Sequence, residues 1–289
     1  MDKIRVLLFA MTGFGNNILN VLTRQPFVKI LGVFTSQREA KSFPYYECEK
    51  LHDLITRRGI TLYEGLKLKE EKVHQFIRSL SPDLILVSSF NQILPNAIIT
   101  IPRIGIVNFH PSLLPKYRGA TPTVWVLANG EKETGVTAHF IEDEKIDCGR
   151  IITQEKIKIE PLDNDGTLRR KIATLSEKVL IDTLSLIIKQ SKEAFPLQDE
   201  SEATYYRKRT LEDSEINPDN SFMDNLNRIK AMSPYPGANL TYNGKRYIVS
   251  NATLSNSKSQ VDTLENDDNK LAVKTPDGIV LYSINKRLD

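Results

Sequence analysis

The sequence predicts an α/β fold built on a mostly parallel sheet, with a small, mainly β domain after it. Three observations lead there. Short apolar runs alternate with helical patterns through residues 4–110, the rhythm of strands joined by crossover helices. The composition turns polar near residue 190. Beyond it, alternating runs are separated by Asn-Gly and Asp-Gly pairs, the turn chemistry of antiparallel hairpins.

Taken in order, IRVLLFA (4–10) is a continuous apolar run and reads as a buried strand. The glycine turn in TGFGNN opens a helix that runs into ILNVLTRQ. VKILGVFT (28–35) is a second strand. YYECEKLHDLITRRG reads as a helix stopped by Gly59. LKEEKVHQFIRSL (68–80) is another helix, PDLILVSSF (82–90) a strand, and IGIVNFH (104–110) the next. ETGVTAHFIE (133–142) and GRIITQEKIKI (149–159) are strands able to pair around a turn at 143–148. DNDGTLRRKIATLSEKVLIDTLSLIIK (163–189) has the acidic start and apolar period of a long helix.

These patterns place a catalytic domain at 1–190, a polar linker at 191–206 and the small β domain at 207–289. In the last, NPDNSFMDNLNRIKAMS suggests a short helix, Asn243-Gly244 a hairpin turn, Asp277-Gly278 a second, and 255–269 an exposed loop.

Composition excludes several classes. The net charge of +3, from 39 basic and 36 acidic residues, is too small to argue for a nucleic-acid binder. Cys48 and Cys148 form no Cys-x-x-Cys unit, so neither a metal site nor a disulfide framework is expected. No apolar run approaches the roughly 18–20 residues of a membrane span. The start, MDKIRVLLFAMTG, carries Asp2 and reads as a first strand rather than a secretory signal, so a cytoplasmic location is expected.

The chemistry gathers at NFHPSLLPKYRG (108–119). Asn108 and His110 alternate out of a buried strand toward one side, and Pro111 ends that strand. A polar pair at a strand's carboxyl end is where open α/β sheets place chemistry. Asp147 lies in the polar turn EDEKIDCG. His110 suits a general acid or a positive charge, Asn108 an oxyanion donor, and Asp147 the group that orients the imidazole and keeps it protonated. Such a set suits attack of an external amine on a carbonyl. On spacing alone, a satisfied buried histidine and a turn-capping aspartate remain open. The proline-rich, irregular loop beside the strand end favours a binding site.

SSFNQILP (88–95), the stretch GIVNFHPSLLPKYRGATPTVWVLANGEKETGVTAHFIEDEKIDCG (105–149) and SPYPGA (233–238) resemble the folate-dependent formyltransferase family. The resemblance is close over 85–235 and looser over the first strand-turn-helix. It implies a Rossmann-like core and catalytic roles for Asn108, His110 and Asp147. It implies direct transfer of the formyl group of 10-formyltetrahydrofolate to an amine through a tetrahedral oxyanion, with no metal. Activity would then fall at high pH as His110 loses its proton. The pterin would lie against two loops, here Ser89, Phe90, Gln92, Ile93 and Leu94, and Phe140, Ile141 and Asp143.

The acceptor divides the family. Methionyl-tRNA formyltransferases resemble this chain in having a C-terminal β domain. They usually carry a basic, glycine-rich loop after the second strand, where this chain has TSQREAKSFPYYECEKL, with Arg38 and Lys41 but no glycine. Residues 207–289 hold 12 Lys and Arg against 11 Asp and Glu, without the basic excess of a phosphate-tracking domain. Glycinamide ribonucleotide formyltransferases look shorter. The nucleotide-sugar N-formyltransferases resemble the chain best. That implies a nucleoside-diphosphate-linked 4-amino-deoxyhexose as acceptor for surface or flagellar glycan biosynthesis, and a homodimer. Methionyl-tRNA in translation initiation is the alternative, and only it brings in nucleic acid. Phe14, Gly15 and Asn16 at the first helix, with Tyr45, Tyr46 and Arg118, are the candidate acceptor-binding residues.

Overall fold

The computed structural model describes residues 3–38, 41–255 and 269–288. The loop expected at 255–269 therefore lies, but for its two end residues, outside them. The chain divides into two compact units. The first holds residues 1–119, 133–157 and 169–205, and the second 120–132, 158–168 and 206–289.

In chain order the elements are β1 (Ile4–Ala10), α1 (Phe14–Leu22), β2 (Val28–Thr35), α2 (Leu51–Arg57), β3 (Leu62–Glu64), α3 (Glu71–Ser79) and β4 (Leu84–Ser88). Then come α4 (Asn96–Ile99), β5 (Gly105–His110), β6 (Arg118–Gly119), α5 (Pro122–Ala128), β7 (Glu133–Ile141), β8 (Ile151–Lys158) and α6 (Asp165–Lys189). The last are β9 (Tyr205–Tyr206), β10 (Glu215–Ile216), α7 (Phe222–Met232), β11 (Ala238–Tyr242), β12 (Lys245–Leu254), β13 (Lys270–Thr275) and β14 (Gly278–Leu288).

The first unit is organised by a seven-stranded sheet of order β3-β2-β1-β4-β5-β7-β8. Strands β3 to β5 are parallel, and β7 runs antiparallel to β5. The order reverses between β1 and β4, and the carboxyl ends of the strands at such a reversal are where doubly wound sheets bind ligands. The uninterrupted apolar runs of β1 and β4 follow from burial on both faces: Leu7, Phe9, Ile85 and Val87 pack with Val73 and Ile77 of α3. Each such side chain contributes about 1.5–3 kcal/mol on burial.

The second unit carries a five-stranded sheet, β10-β11-β12-β14-β13, with α7 supplying buried Ile229 and Met232. Asn243 and Gly244 both have positive φ, at 48° and 73°, as the tight hairpin between β11 and β12 requires.

Two local expectations change. The helix expected from Tyr45 begins only at Leu51, because Pro44 and an aromatic knot of Phe43, Tyr45 and Tyr46 hold the preceding residues irregular. Residues 191–206, expected as a linker, fold into two short 3-10 turns and β9, and residues up to 205 belong to the first unit.

Candidate functional site

Asn108 and His110 stand on one face of β5, with Val107 and Phe109 buried on the other. Pro111 cannot donate to a sheet ladder and turns the chain away. The segment beyond it is pinned to the neighbouring strands. The Thr137 hydroxyl donates to the Ser112 carbonyl at 2.7 Å and accepts the Leu114 N–H at 3.1 Å. Gln154 donates to the Leu114 carbonyl at 2.6 Å. The turn ends with Tyr117 at φ 62°, its carbonyl 2.8 Å from His110 Nε2. A carbonyl only accepts, so Nε2 carries a hydrogen and Nδ1 is the nitrogen left to exchange a proton.

Asp147 comes from the loop between β7 and β8. It has the left-handed φ of 56°, which aspartate tolerates better than most residues. The loop then closes on Gly149, where any Cβ would strike the Phe140 carbonyl oxygen. Asp147 Oδ1 accepts from Asn108 Nδ2 at 3.2 Å and lies 3.4 Å from His139 Nε2. Its Oδ2 accepts the Gly119 N–H at 2.9 Å and lies 3.4 Å from His110 Nδ1. Asp147 thus touches both Asn108 and His110, the two residues expected to act with it.

Sequence reasoning does not single out His139. In register it stands directly opposite Asn108 across the β5–β7 pair. Its Nδ1 lies 2.9 Å from the Phe140 carbonyl, and its Nε2 lies 3.1 Å from Asn108 Nδ2. The available signal was the alternation of VTAHFI, which puts His139 on the face of the sheet that β5 presents with Asn108.

The electrostatics change the expected state of His110. The ring is 4% exposed, and burial pulls its pKa below the ordinary histidine value, although Asp147 and the Tyr117 carbonyl oppose the shift. For Asp147, burial works to push the pKa up. His110, His139 and the Gly119 N–H outweigh it and hold the carboxyl well below the usual range. Burial thus favours a neutral imidazole beside the carboxylate at neutral pH, where the sequence led to the expectation of an imidazolium. The imidazole Nδ1 is then a base that becomes the acid once it has taken a proton.

Of the expected pterin residues, Leu94 and Phe140 are buried in packing, and Phe90 and Ile141 pack on the core cluster. The Gln92 side chain is committed to the chain: it accepts the Leu68 N–H at 3.0 Å and donates to the Leu66 carbonyl at 2.9 Å. Asp143 caps its own turn at Lys145 N. Ser89 and Ile93 are exposed on an irregular loop after β4. Glu144 ties the two loops together by accepting the Asn96 N–H at 3.0 Å.

The residues expected at α1 to bind the acceptor are engaged within the chain. Phe14 is in the core, and a Cβ on Gly15 would meet Ala10 Cβ at 2.7 Å, so that glycine serves close helix–strand packing. Asn16 accepts the Gly13 N–H at 3.0 Å and donates to the Glu49 carbonyl at 2.9 Å. Arg118 is fully buried, and all five of its donors are taken by Gln198, Glu200 and Tyr205, so none is left for a phosphate. Tyr45 and Tyr46 are half-buried, beneath the guanidinium groups of Arg169 and Arg170 at 4.1 and 5.4 Å. Among the described residues no cluster of His, Cys, Asp and Glu is arranged to hold a metal ion, and no helix is long and apolar enough to cross a membrane.

Residues 2–184 match the Formyl transferase family and residues 208–286 match Formyl transferase, C-terminal domain. A methionyl-tRNA formyltransferase of Pelotomaculum thermopropionicum is 39% identical over 187 residues, 65% of this chain and 59% of the relative. One from Staphylococcus epidermidis is 36% identical over 205 residues, 71% of this chain and 66% of the relative. The matched stretch is thus less than two thirds of either relative. In fold, the chain is similar to the N-formyltransferase of Helicobacter canadensis in complex with folinic acid and dTDP-3-aminofucose. That likeness has a TM-score of 0.73 at 19% identity over 100% of both chains. With both family regions present in one chain, and the Asn108, His110 and Asp147 side chains gathered at the edge of its sheet, this protein belongs to the formyl transferase family.

Proposed function

We propose that the protein moves the formyl group of 10-formyltetrahydrofolate to the amine of a nucleoside-diphosphate-linked amino-deoxyhexose. The observation that carries the chemistry is the convergence of Asn108, His110 and Asp147 at the carboxyl end of β5. An amine adding to a formyl carbon creates negative charge on the carbonyl oxygen and an acidic N–H on the amine. The Asn108 amide, which rests on Asp147 and His139, is the donor that would turn from one of them to meet that charge. Neutral His110 Nδ1 takes the amine proton, Asp147 steadies the imidazolium so formed, and the same proton passes to the departing folate nitrogen. The Tyr117 carbonyl keeps the ring in the one tautomer that allows this. Pterin binding is supported by the irregular loops after β4 and β7, which expose Ile93 and Ile146 as apolar faces for a flat heterocycle.

For the acceptor, the Tyr45–Arg169 and Tyr46–Arg170 stacks carry the reading. Aromatic faces suit a nucleobase, and guanidinium groups suit a diphosphate. The near-neutral charge of 207–289 and the dTDP-aminosugar complex of the Helicobacter canadensis neighbour point the same way. The second reading, methionyl-tRNA, is favoured by the names of the sequence relatives. The test is direct: incubate the protein with 10-formyltetrahydrofolate, UDP-, dTDP- and GDP-linked amino sugars, and charged initiator tRNA. Mass spectrometry then seeks the gain of one CO unit. Gain on a nucleotide sugar alone supports the first reading, and gain on the tRNA alone replaces it with the second.

A further inference from the structure

Asp147 reaches the site from a loop whose backbone conformation is unfavourable for most residues, so something must hold it there. Gln198 does so. Its Nε2 donates to the carbonyls of Asp147 and Gly149, each at 2.8 Å, gripping the loop on both sides of Cys148. An amide side chain could turn over and lose both bonds. It is prevented from doing so by Arg118, whose Nε and Nη2 reach Gln198 Oε1 at 3.0 and 2.8 Å. A guanidinium cannot accept, so the amide has one allowed orientation. Arg118 is itself locked by a two-pronged pair with Glu200, both arms at 2.8 Å, and by the Tyr205 hydroxyl at 2.6 Å. The next residue, Gly119, gives its N–H to the Asp147 carboxylate.

We propose that Arg118 and Gln198 are positioning residues for formyl transfer, holding the 142–149 loop so that the Asp147 carboxylate stays on Asn108 and His110. This rests on the reading of that trio as the formyl-transfer centre. Neither residue touches the reacting atoms. Arg118 spends all five donors on Gln198, Glu200 and Tyr205, and Gln198 spends both amide hydrogens on the loop; misplacing a catalytic group by about 1 Å can cost on the order of 100-fold in rate.

The test compares wild type with Gln198→Leu, which keeps the size and removes the bonds, and with Gln198→Asn, which keeps the amide but draws it out of reach. Two readouts are taken: steady-state kinetics, and the His110 imidazole titration followed by NMR. The charged and titratable groups facing that ring are Asp147 and His139. The expected result is a kcat lower by about 10- to 100-fold, with both KM values within about threefold. The His110 titration moves to lower pH, because the imidazolium loses its counter-charge. Arg118→Lys, which keeps the charge without the fork, falls between. A kcat within about threefold of wild type with an unmoved His110 titration overturns the proposal. So does a lower melting temperature with kcat intact, which makes the clamp merely structural. If the wild type formylates no amine, the functional reading fails by itself. The titration shift then decides the clamp alone: present, it stands, and absent, it falls.

Discussion

At the carboxyl end of β5, Asn108 and His110 face a carboxylate and one another's partners. At the carboxyl end of β1, Asn16 is equally polar and equally close to a turn, yet its amide is held by backbone groups, at Gly13 and Glu49, where that of Asn108 is held by the side chains of Asp147 and His139. Both places lie along the carboxyl edge where a doubly wound sheet binds ligands. The difference lies in the chain beyond each strand. After β5 an irregular segment leaves room for a second loop to bring in Asp147. After β1 a helix begins within four residues, and Gly13, at φ 102°, lies under the Phe43 ring, so near that a Cβ would sit 2.7 Å from it. Position in a fold therefore marks where chemistry can be, and the local hydrogen-bond account decides whether it is there.

Substitution at the two ends should separate them. His110→Asn is expected to have the largest effect, lowering kcat by about 100- to 10,000-fold with much smaller changes in KM, since the ring acts on proton transfer. Turnover within about threefold of wild type would remove β5 from the chemistry. Asn108→Ala comes next, at about 100- to 1,000-fold in kcat, the usual loss for one oxyanion donor. A variant that changes only KM would make Asn108 a binding group.

The pH profile sharpens the same contrast. His110 is held below its ordinary pKa by burial, so the base form dominates at neutral pH. Activity should rise along an acid limb with a midpoint below about 6.5 and show no His110-linked fall between about pH 7 and 9. The sequence-based expectation was the opposite, a fall at high pH, and such a fall in kcat/KM would restore the protonated resting state. Stability carries the same sign. Above about pH 6.5 the imidazole is neutral both folded and unfolded. Below it the unfolded chain binds the extra proton, so stability is lost as pH falls through the folded-state pKa. Denaturant midpoints across that range would show it.

How much of this was written in the sequence depends on the distance over which each side chain finds its partners. Asn108 and His110 were legible because a strand's period of two and a following proline are local signals. The parallel core was legible because burial on both faces leaves uninterrupted apolar runs. His139 was hidden, since its importance comes from register with Asn108, a pairing between strands 31 residues apart. Gln198 was hidden more deeply: polar composition reads as linker, and nothing local says that its amide grips residues 51 and 49 positions earlier. Arg118 in a loop of prolines and glycine looks like an anion ligand. Only the fold shows its donors met from 80 to 87 positions away.

The smallest effect tests the other half of the comparison. If Asn16 belongs to the architecture of α1 and not to ligand binding, Asn16→Ala should act on stability. It would leave the buried Gly13 N–H and the Glu49 carbonyl without their side-chain partner, at a cost of about 1–3 kcal/mol. Denaturant titration should show a lower midpoint with an unchanged slope. The kcat and both KM values should stay within about threefold of wild type, because the bond from Gly13 ends inside the chain. A selective rise in the acceptor KM with unchanged stability would reverse the assignment. It would mean that Asn16 gives up its two partners to the substrate on binding, and that the carboxyl ends of β1 and β5 are halves of one site.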